Sequence, residues 1–328
     1  VAVTGVQTCA LPIFFWAPTS DLVTRKPLND VAGMPYYWDN DGTLTNRGFE
    51  VTTSARLVDH RDWKLTVGAT VGHYNNKIRK LRNGAFTTDV AGATILTAEG
   101  QSAGVFYGWQ TDGIYRDAAE AAADGLGVIA ANGDKVAFGA GDVRFIDQNA
   151  DGIIDNRDRV VLGNPNPDIF GSFNLQLRWK RLTLDGLFSY TLGGEAYNAL
   201  RQQLESGSNL WNQTKAMENR WTADGQATDV PHATYGDPMG NSRASDRWVE
   251  NASYLKLSHL RLSYDVPLRR SVLQGVCLWA SANNLFTLTR YLGMDPEFSL
   301  SSSVLYQGVD AGLVPNSRSF QLGVKINL

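Results

Sequence analysis

This sequence has no long apolar run, only two cysteines and no large excess of positive or negative charge. No stretch of about 18 consecutive apolar residues occurs, so no transmembrane helix is predicted. Cys9 and Cys277 are the only cysteines, too few for a disulfide framework. The formal net charge of −3 argues against a nucleic-acid-binding surface. These absences leave open a protein that crosses a membrane with β-strands, because such strands are half polar and give a weak hydropathy signal.

The sequence also lacks the motifs that mark common enzymes. It contains no GxSxG, Walker A, HExxH or CxxC pattern, and its four histidines lie in unrelated positions. No set of side chains supplies a nucleophile, a base and an oxyanion hole. We therefore expect no enzymatic chemistry and assign no catalytic residue.

What the sequence does have is period-two alternation of apolar and polar side chains, which predicts β-strands with one apolar face. At the end of the chain Phe320, Leu322, Val324, Ile326 and Leu328 fall on one face without an error. The other predicted strands are near the ~9–11 residues that cross a bilayer when tilted. They are 49–57, 63–74, 172–179, 182–190, 254–266 and 276–284.

The connections between these strands alternate between short and long. The short ones are 58–62, 180–181 and 267–275, and the long ones are 75–171, 191–253 and 284–319. Outer-membrane barrels show this asymmetry, with short periplasmic turns and long extracellular loops. We therefore predict an all-β fold, an antiparallel transmembrane β-barrel portion with long extracellular loops. The alternative is a secreted, calcium-stabilised β-sandwich that binds glycans, whose strands would alternate in the same way.

One segment inside the first long connection is ambiguous. Gly104–Gln110 looks like a strand, and the parity of the flanking strands requires an even number of crossings within 75–171. The segment either crosses together with an unseen partner or folds within an extracellular loop.

The first residues do not follow the alternating pattern. Val1–Trp16 has no positively charged n-region, and Pro12 interrupts its short apolar run. We interpret residues 1–20 as a non-native or disordered segment and the chain as a fragment of a barrel. Such a fragment should form an open, curved sheet with unpaired edges near Gly48–Leu57 and Phe320–Leu328.

Asp147–Asp158 is the sharpest local signal. Oxygen side chains at positions 1, 3, 5, 9 and 12, glycine at 6 and a backbone carbonyl at 7 resemble a calcium loop of the EF-hand type. The predicted ligands of one structural Ca²⁺ ion are Asp147, Asn149, Asp151, Ile153, Asp155 and Asp158. The alternative is a turn held by bonds from side chains to the backbone, without a metal.

The long connections are rich in aromatic side chains. Their rings can stack on sugar rings or peptide side chains, or they can pack the loops against one another. They are Tyr107, Trp109, Tyr115, Trp211, Trp221, Trp248, Tyr291 and Tyr306.

Five blocks of sequence carry a family resemblance. They are Asn46–Glu50 (NRGFE), Gly141–Phe145 (GDVRF) running into the acidic loop and Gly163–Asp168 (GNPNPD), Ser245–Glu250 (SDRWVE) with Tyr254–Leu257 (YLKL), Asn283–Thr287 (NNLFT) and Tyr291–Glu297 (YLGMDPE). In this order they resemble the SusC/RagA family of TonB-dependent transporters of Bacteroidetes. The resemblance covers about Asp21 to Leu328.

The resemblance implies a barrel of about 22 strands with an internal plug, of which residues 21–328 would be the C-terminal part. It also implies a place in the cell outer membrane and nutrient uptake, with oligosaccharides or peptides imported through coupling to TonB. The implied partners are a SusD-like surface lipoprotein, the TonB complex and outer-membrane lipid, with no nucleic acid. In that family the plug and the TonB box precede the barrel, and neither is found in this sequence.

Overall fold

β-Strands dominate the computed structural model, which describes residues 7–34, 36–40, 42–268, 273–298, 300 and 306–327. In chain order the strands are β1 (Gln7–Thr19), β2 (Val23–Pro27), β3 (Tyr36–Asn40), β4 (Thr43–Asp59), β5 (Trp63–Lys80), β6 (Phe86–Val90), β7 (Ala93–Thr97), β8 (Val105–Trp109), β9 (Thr111–Ile114), β10 (Gly127–Ile129), β11 (Lys135–Ala137), β12 (Val143–Phe145), β13 (Arg159–Gly163), β14 (Ile169–Trp179), β15 (Leu182–Leu192), β16 (Glu195–Asn198), β17 (Val249–Asn251), β18 (Tyr254–Val266), β19 (Gly275–Thr289), β20 (Val309–Asp310) and β21 (Ser319–Asn327).

The helices in this part of the chain are short. The α-helices are α1 (Ala118–Asp124) and α2 (Ala199–Leu204), and the 3-10 turns are Asp30–Ala32, Asn156–Asp158, Lys215–Asn219 and Asp246–Trp248. No helix among the described residues combines the length and the apolar character needed to span a membrane.

Within the described residues, eight strands form one antiparallel sheet, the main sheet, in the order β1-β4-β5-β14-β15-β18-β19-β21. Every strand predicted from alternation lies in it, which confirms the predicted fold class. The last predicted strand ends at Asn327, and Leu328 lies outside the described residues. β14 and β15 are joined by Lys180 and Arg181 alone, with Lys180 at a φ of 53°, the left-handed conformation that tight hairpin turns require.

The strand register sorts the side chains of the main sheet onto two chemically different faces. One row of directly opposed residues is apolar throughout: Leu65, Leu177, Leu184, Leu262, Ala280 and Leu322. The adjacent row, one residue along each strand, is polar throughout: Thr66, Gln176, Asp185, Arg261, Ser281 and Gln321. Because successive side chains point to opposite sides of a sheet, the first row marks an apolar face and the second a polar face.

The apolar face has no protein layer over it in the part of the chain that the structure describes. Leu262 is 44% exposed, and Leu322 is 87% exposed. A β-sandwich buries this face against a second sheet. The exposed apolar face therefore excludes the sandwich alternative, whereas a barrel strand presents such a face to lipid.

Aromatic rings lie at the short-turn end of the main sheet, as the barrel prediction requires. Trp63 and Trp179 pair across β5 and β14, and their ring centres are 5.6 Å apart in a stacked arrangement. Both rings are nearly half exposed. This position is typical of the aromatic girdle at a membrane interface.

The structure corrects the expectation of disorder for the first residues. Residues 7–19 form β1, which pairs with β4 along its whole length, so disorder is wrong for this part; residues 1–6 lie outside the described residues. Pro12 and Pro18 fit because an edge strand has one side without a partner, where a missing N–H breaks no ladder bond. The ring of Phe15 lies over the bare backbone of Gly48, where an added Cβ would come within 2.7 Å of it.

β1 nevertheless differs from the other strands of the main sheet. Its apolar side chains fall on both faces, with Phe14 and Trp16 opposite Phe49 and Arg47, and Ile13 opposite Glu50. This lack of alternation is what motivates a non-native origin for residues 1–20, which stays a prediction.

The edges of the main sheet are β1 and β21. The edge expected near Gly48–Leu57 is therefore wrong, because β4 is paired on both sides, with β1 and with β5. The edge expected at the end of the chain is confirmed, since β21 pairs only with β19 in the described residues. The first and last strands of the sheet are not neighbours, so the sheet is open.

The three long connections are the first loop (81–168), the second loop (193–253) and the third loop (290–318), and they fold into small sheets of their own. The first loop contains the sheet β13-β8-β7-β6 and the pairs β12-β9 and β10-β11. The second and third loops combine in the sheet β17-β16-β20. β8, the strand whose place the sequence leaves open, therefore lies within a loop and adds no crossing.

Two apolar cores hold the loops together. The first draws on all three: Ile95 and Phe106 from the first loop, Tyr197 and Trp248 from the second and Val309 from the third, each at most 2% exposed. The second contains Ile114, Tyr115, Phe138, Val143, Phe145 and Ile154, with Trp221 and Met239 of the second loop packed against it. The three long loops therefore pack together at the end of the main sheet opposite the short turns.

The two faces can be tested by placing a charge on each. Leu184→Arg and Leu262→Arg should lower the free energy of unfolding in lipid vesicles by ~2–4 kcal/mol for a residue near the bilayer midplane. Ser263→Arg should cost less, because Ser263 lies on the polar face between Thr183 and Trp279. Urea-induced unfolding measures the difference, and equal losses for Leu262→Arg and Ser263→Arg would show that the face assignment is wrong.

Candidate functional site

The polar face of the main sheet is lined by hydrogen-bonding pairs that span neighbouring strands. Gln176 Nε2 donates to Asp185 Oδ1 at 2.8 Å, and Asn283 Nδ2 donates to Ser319 Oγ at 2.9 Å. The Arg261 guanidinium lies 4.8 Å from the centre of the Trp279 ring. Groups of this kind can face water or a polar solute, whereas in contact with lipid they would lose hydrogen bonds to water.

A pair of β-bulges determines which side chains of β18 and β19 reach this face. The pairing of β18 shifts next to Ser258, both against β15 and against β19. The extra residue puts Leu257 on the same apolar face as Leu260, although three positions separate them. Asn284, at a φ of 53°, lies at the corresponding irregularity of β19.

As a result, Lys256 points to the polar face and is buried there, with 2% of its surface exposed. Its Nζ lies 2.5 Å from Glu297 Oε2 and 3.9 Å from Asp295 Oδ2. Tyr254 donates a further hydrogen bond to Glu297, at 2.9 Å. A buried ammonium group is tolerated only when it is paired, so this cluster fixes the third loop to the main sheet.

A second ionic cluster joins α2, β17 and the third loop. Arg201 Nη1 lies 2.6 Å from Glu250 Oε1, and Arg201 Nε lies 2.9 Å from Glu205 Oε2. The other oxygen of Glu250 accepts the backbone N–H of Leu292 at 2.8 Å. Burial alone would lower the pKa of Arg201, but the bonds to Glu250 and Glu205 outweigh it and raise that pKa.

A histidine–carboxylate pair joins the second loop to the first. His232 Nε2 lies 2.8 Å from Oδ1 of Asp142, which is 3% exposed. Asp142 also accepts hydrogen bonds from Asn241 and from the backbone of Gly139, each at 2.8 Å. The bond to Asp142 raises the pKa of His232. Burial alone would raise the pKa of Asp142, but the three hydrogen bonds outweigh it and lower that pKa.

The six predicted calcium ligands are held by the backbone of their own turn. Asp147 accepts the N–H groups of Asn149, Ala150 and Gly152 at 2.7–3.2 Å. These bonds lower the pKa of Asp147, although burial opposes them. Asp158 is fully buried and accepts the N–H groups of Gln148 and Asp155.

The remaining predicted ligands are engaged as well. Asp151 and Asp155 pair with the guanidinium of Arg157 at 2.6 and 2.9 Å. Asn149 donates to Asp151, which in turn accepts the N–H of Ile153. Among the described residues, no group of three or more His, Cys, Asp or Glu side chains is placed to hold a metal ion. Calcium binding stays a prediction of the sequence.

Most of the loop aromatics pack inside the loops. Tyr115, Trp248 and Tyr291 are at most 5% exposed, and Trp109, Trp221 and Tyr306 pack against the two apolar cores. Tyr107 is half-buried in β8. Trp211 is the exception among these eight, with 65% of its surface exposed.

Sequence reasoning missed both the lysine cluster and the histidine pair. Lys256 and Glu297 are separated by 41 positions, and Asp142 and His232 by 90, so neither pair forms a local motif. One signal was available in the segment 254–266. Its apolar residues stand at odd positions up to Leu257 and at even positions from Leu260, which indicates a bulge and places Lys256 on the polar face.

The curated proteins that are similar to this chain include several TonB-dependent receptors. No protein-family model matches the chain. TonB-dependent receptor P3 of Formosa agariphila is 30% identical over 328 residues, which cover 95% of this chain and 32% of the relative. TonB-dependent receptor SusC of Bacteroides thetaiotaomicron is 24% identical over 300 residues, which cover 88% of this chain and 27% of the relative.

Among solved structures, that of the RagAB peptide transporter matches with a TM-score of 0.78 at 23% identity, over 97% of this chain and 33% of the other chain. That likeness concerns the fold alone. The chain spans about a third of the length of the curated relatives that it matches. The relatives are receptors, not enzymes, in agreement with the expectation from the sequence.

The acidic turn can be tested by removing Asp147. Asp147→Ala removes the acceptor of three backbone N–H groups and should cost about 1–2 kcal/mol in the free energy of unfolding. If these bonds alone hold the turn, the loss is the same in excess calcium and in excess EGTA. If EGTA destabilises the wild type and leaves Asp147→Ala unchanged, calcium binding is established and the metal-free turn is wrong.

The His232–Asp142 contact should depend on pH. The pKa of His232 is higher in the folded protein than the value near 6.5 in the unfolded chain. The contribution of His232 to folding stability is therefore complete below pH 6.5 and is lost as the pH rises through the folded pKa. The pKa of Asp142 is lower in the folded protein than the ordinary value of 3.8. The contribution of Asp142 to folding stability is therefore present above pH 3.8 and is lost as the pH falls through the folded pKa. Thermal stability should therefore fall on raising pH above 6.5 in the wild type, and this step should be absent in His232→Gln. An equal step in both proteins would contradict the assignment.

Proposed function

Because the chain belongs to the TonB-dependent receptors, with SusC among its relatives, we propose that it forms part of the wall and the outer loops of an outer-membrane nutrient importer. Residues 21–328 are the barrel part in this proposal. The wall is the main sheet, and the loops that pack together at one end of it face the outside of the cell. Residues 1–20 remain a segment of separate, non-native origin.

The observation that carries the proposal is the pair of uniform rows on the two faces of the main sheet. An apolar row and a polar row run side by side from β5 to β21. A wall between lipid and a water-filled lumen needs this arrangement, because lipid accepts no unpaired polar groups and a polar solute passes only along hydrogen-bonding groups. The open edge at β21 is where further strands of a complete barrel would pair.

The proposed partners follow from the relatives and from the loop surface. Apolar side chains are highly exposed on the loops: Leu210 at 92%, Leu292 at 71%, Met294 at 70% and Val314 at 94%. Exposed apolar side chains on these loops offer contacts that a partner protein can cover, and we assign this role to a SusD-like lipoprotein. Import is driven through the TonB complex, and the cargo is an oligosaccharide or a peptide.

The proposal predicts where the protein is found. In the bacterium that produces it, the protein should be in the outer-membrane fraction and should migrate differently on gels before and after heating, because the exposed apolar face needs lipid or detergent. A periplasmic protein of similar size serves as the fractionation control. Extraction as a soluble monomer without detergent would contradict the proposal.

Uptake provides the functional half of the test. Deleting the gene should abolish growth on the cargo, and a protonophore should stop uptake in wild-type cells, since TonB coupling uses the proton-motive force. Uptake that continues in the presence of the protonophore would show that the protein is not an active importer.

A further inference from the structure

A cleft of about 380 Å³ lies where the three long loops meet, and we call it the loop cleft. Ala91 and Gly92 of the first loop and Ala311 of the third loop contribute to its lining. The second loop supplies the rest: Ala199, Leu200, Gln202, Gln203, Ser206, Ser208, Asn209 and Ser242. Its volume lies within the range of about 300–1,000 Å³ that small-molecule sites occupy.

The lining of the loop cleft is polar but carries no charge. Among the described residues that line it, the side chains with hydrogen-bonding groups are Gln202, Gln203, Ser206, Ser208, Asn209 and Ser242, and the others are alanine, glycine and leucine. Arg201 and Glu205, which are neighbours of lining residues in the sequence, do not line the cleft and are bonded to each other. A charged ligand would lose its hydration here without gaining a counter-charge.

Part of this lining is fixed, and part is free to bind. Gln202 Nε2 donates to the Ser242 carbonyl at 2.7 Å, and the hydroxyls of Ser206 and Ser208 are 2.9 Å apart. Asn209 Oδ1 accepts the backbone N–H of Trp211 at 2.9 Å. The Nδ2 group of Asn209 has no hydrogen-bond partner in the described residues. The side-chain amide of Gln203 has no hydrogen-bond partner there either.

Two exposed aromatic rings are tied to the residues that line the loop cleft. Trp211, 65% exposed, is the residue whose N–H binds Asn209. Tyr235, 80% exposed, directly precedes Gly236, whose N–H donates to the Ser208 carbonyl at 2.8 Å. An exposed ring offers a flat apolar surface. These two rings belong to segments whose backbone is hydrogen-bonded to the lining residues Asn209 and Ser208.

We propose that the loop cleft binds a segment of a neutral oligosaccharide. A pyranose ring presents hydroxyls around its edge and C–H groups on its face, which match the free amides of Gln203 and Asn209 and the rings of Trp211 and Tyr235. An acidic glycan or a peptide with free termini carries charges that this lining does not neutralise. The proposal rests on the proposed function and selects one of its two cargo classes.

The test uses the full-length protein purified in detergent together with its lipoprotein partner. The neutral probes are maltoheptaose, cellohexaose and mannohexaose, the acidic probe is hexagalacturonate, and the peptide probe is a Ser/Gly hexapeptide with acetyl and amide caps. Calorimetry and tryptophan emission measure binding. Gln203→Leu and Trp211→Ala should each weaken binding of a neutral oligosaccharide by about tenfold. Ile129→Ala, at an exposed apolar residue of the first loop outside the cleft, is the control and should leave affinity unchanged.

Each outcome decides the proposal, provided that the variants keep their heat-modifiable migration and so are folded. Weakened binding in both cleft variants and unchanged binding in the control support it. Neutral binding that neither cleft variant alters overturns the site but leaves the proposed function standing. Cleft-dependent binding of the peptide or of hexagalacturonate alone overturns the ligand class. Failure of every probe to bind overturns the proposal, whereas the proposed function is decided separately by fractionation and uptake.

Discussion

Backbone hydrogen bonds hold Leu184 opposite Leu262, and Asp185 opposite Arg261, and the same register continues across the main sheet from β5 to β21. Because side chains alternate along each strand, a slip of one residue in any pair would mix the two faces. The uniform register therefore produces the apolar face, the polar face and the common end at which the long loops leave the sheet. The lysine cluster depends on it as well, because Lys256 reaches Glu297 only from the polar face.

Alternation and loop length were sufficient to predict the strands of the main sheet other than β1, together with the short and long connections between them. These features are encoded locally, in the spacing of apolar residues and in the polar segments between them. β1 was not predicted because its side chains do not alternate. It forms by completing the hydrogen-bond ladder of β4, and ladder bonds depend little on side-chain identity. Gly104–Gln110 could be recognised as a strand, but its partners β7 and β13 do not alternate over a length that predicts a strand, so its place in a loop sheet could not be predicted.

The sequence was less informative about the candidate sites. It located the acidic turn of Asp147–Asp158 correctly, yet oxygen ligands at calcium spacing are the same groups that cap backbone N–H groups in a turn. Arg157, inside the motif, supplies the positive charge next to Asp151 and Asp155. The loop cleft draws residues from three loops, and no local pattern reports such a meeting point. Only Trp211, conspicuous as a loop aromatic, connects the sequence to that site.

The bulges near Ser258 and Asn284 have a consequence for how this wall can vary. They divide each of β18 and β19 into a half next to the short turn and a half next to the long loops. Apolar and polar side chains alternate within each half, and the alternation shifts by one residue at the bulge. An insertion or deletion of one residue on the loop side can be absorbed at such a joint without inverting the turn side. The loops are therefore free to diverge in length and composition while the half next to the short turns keeps its pattern.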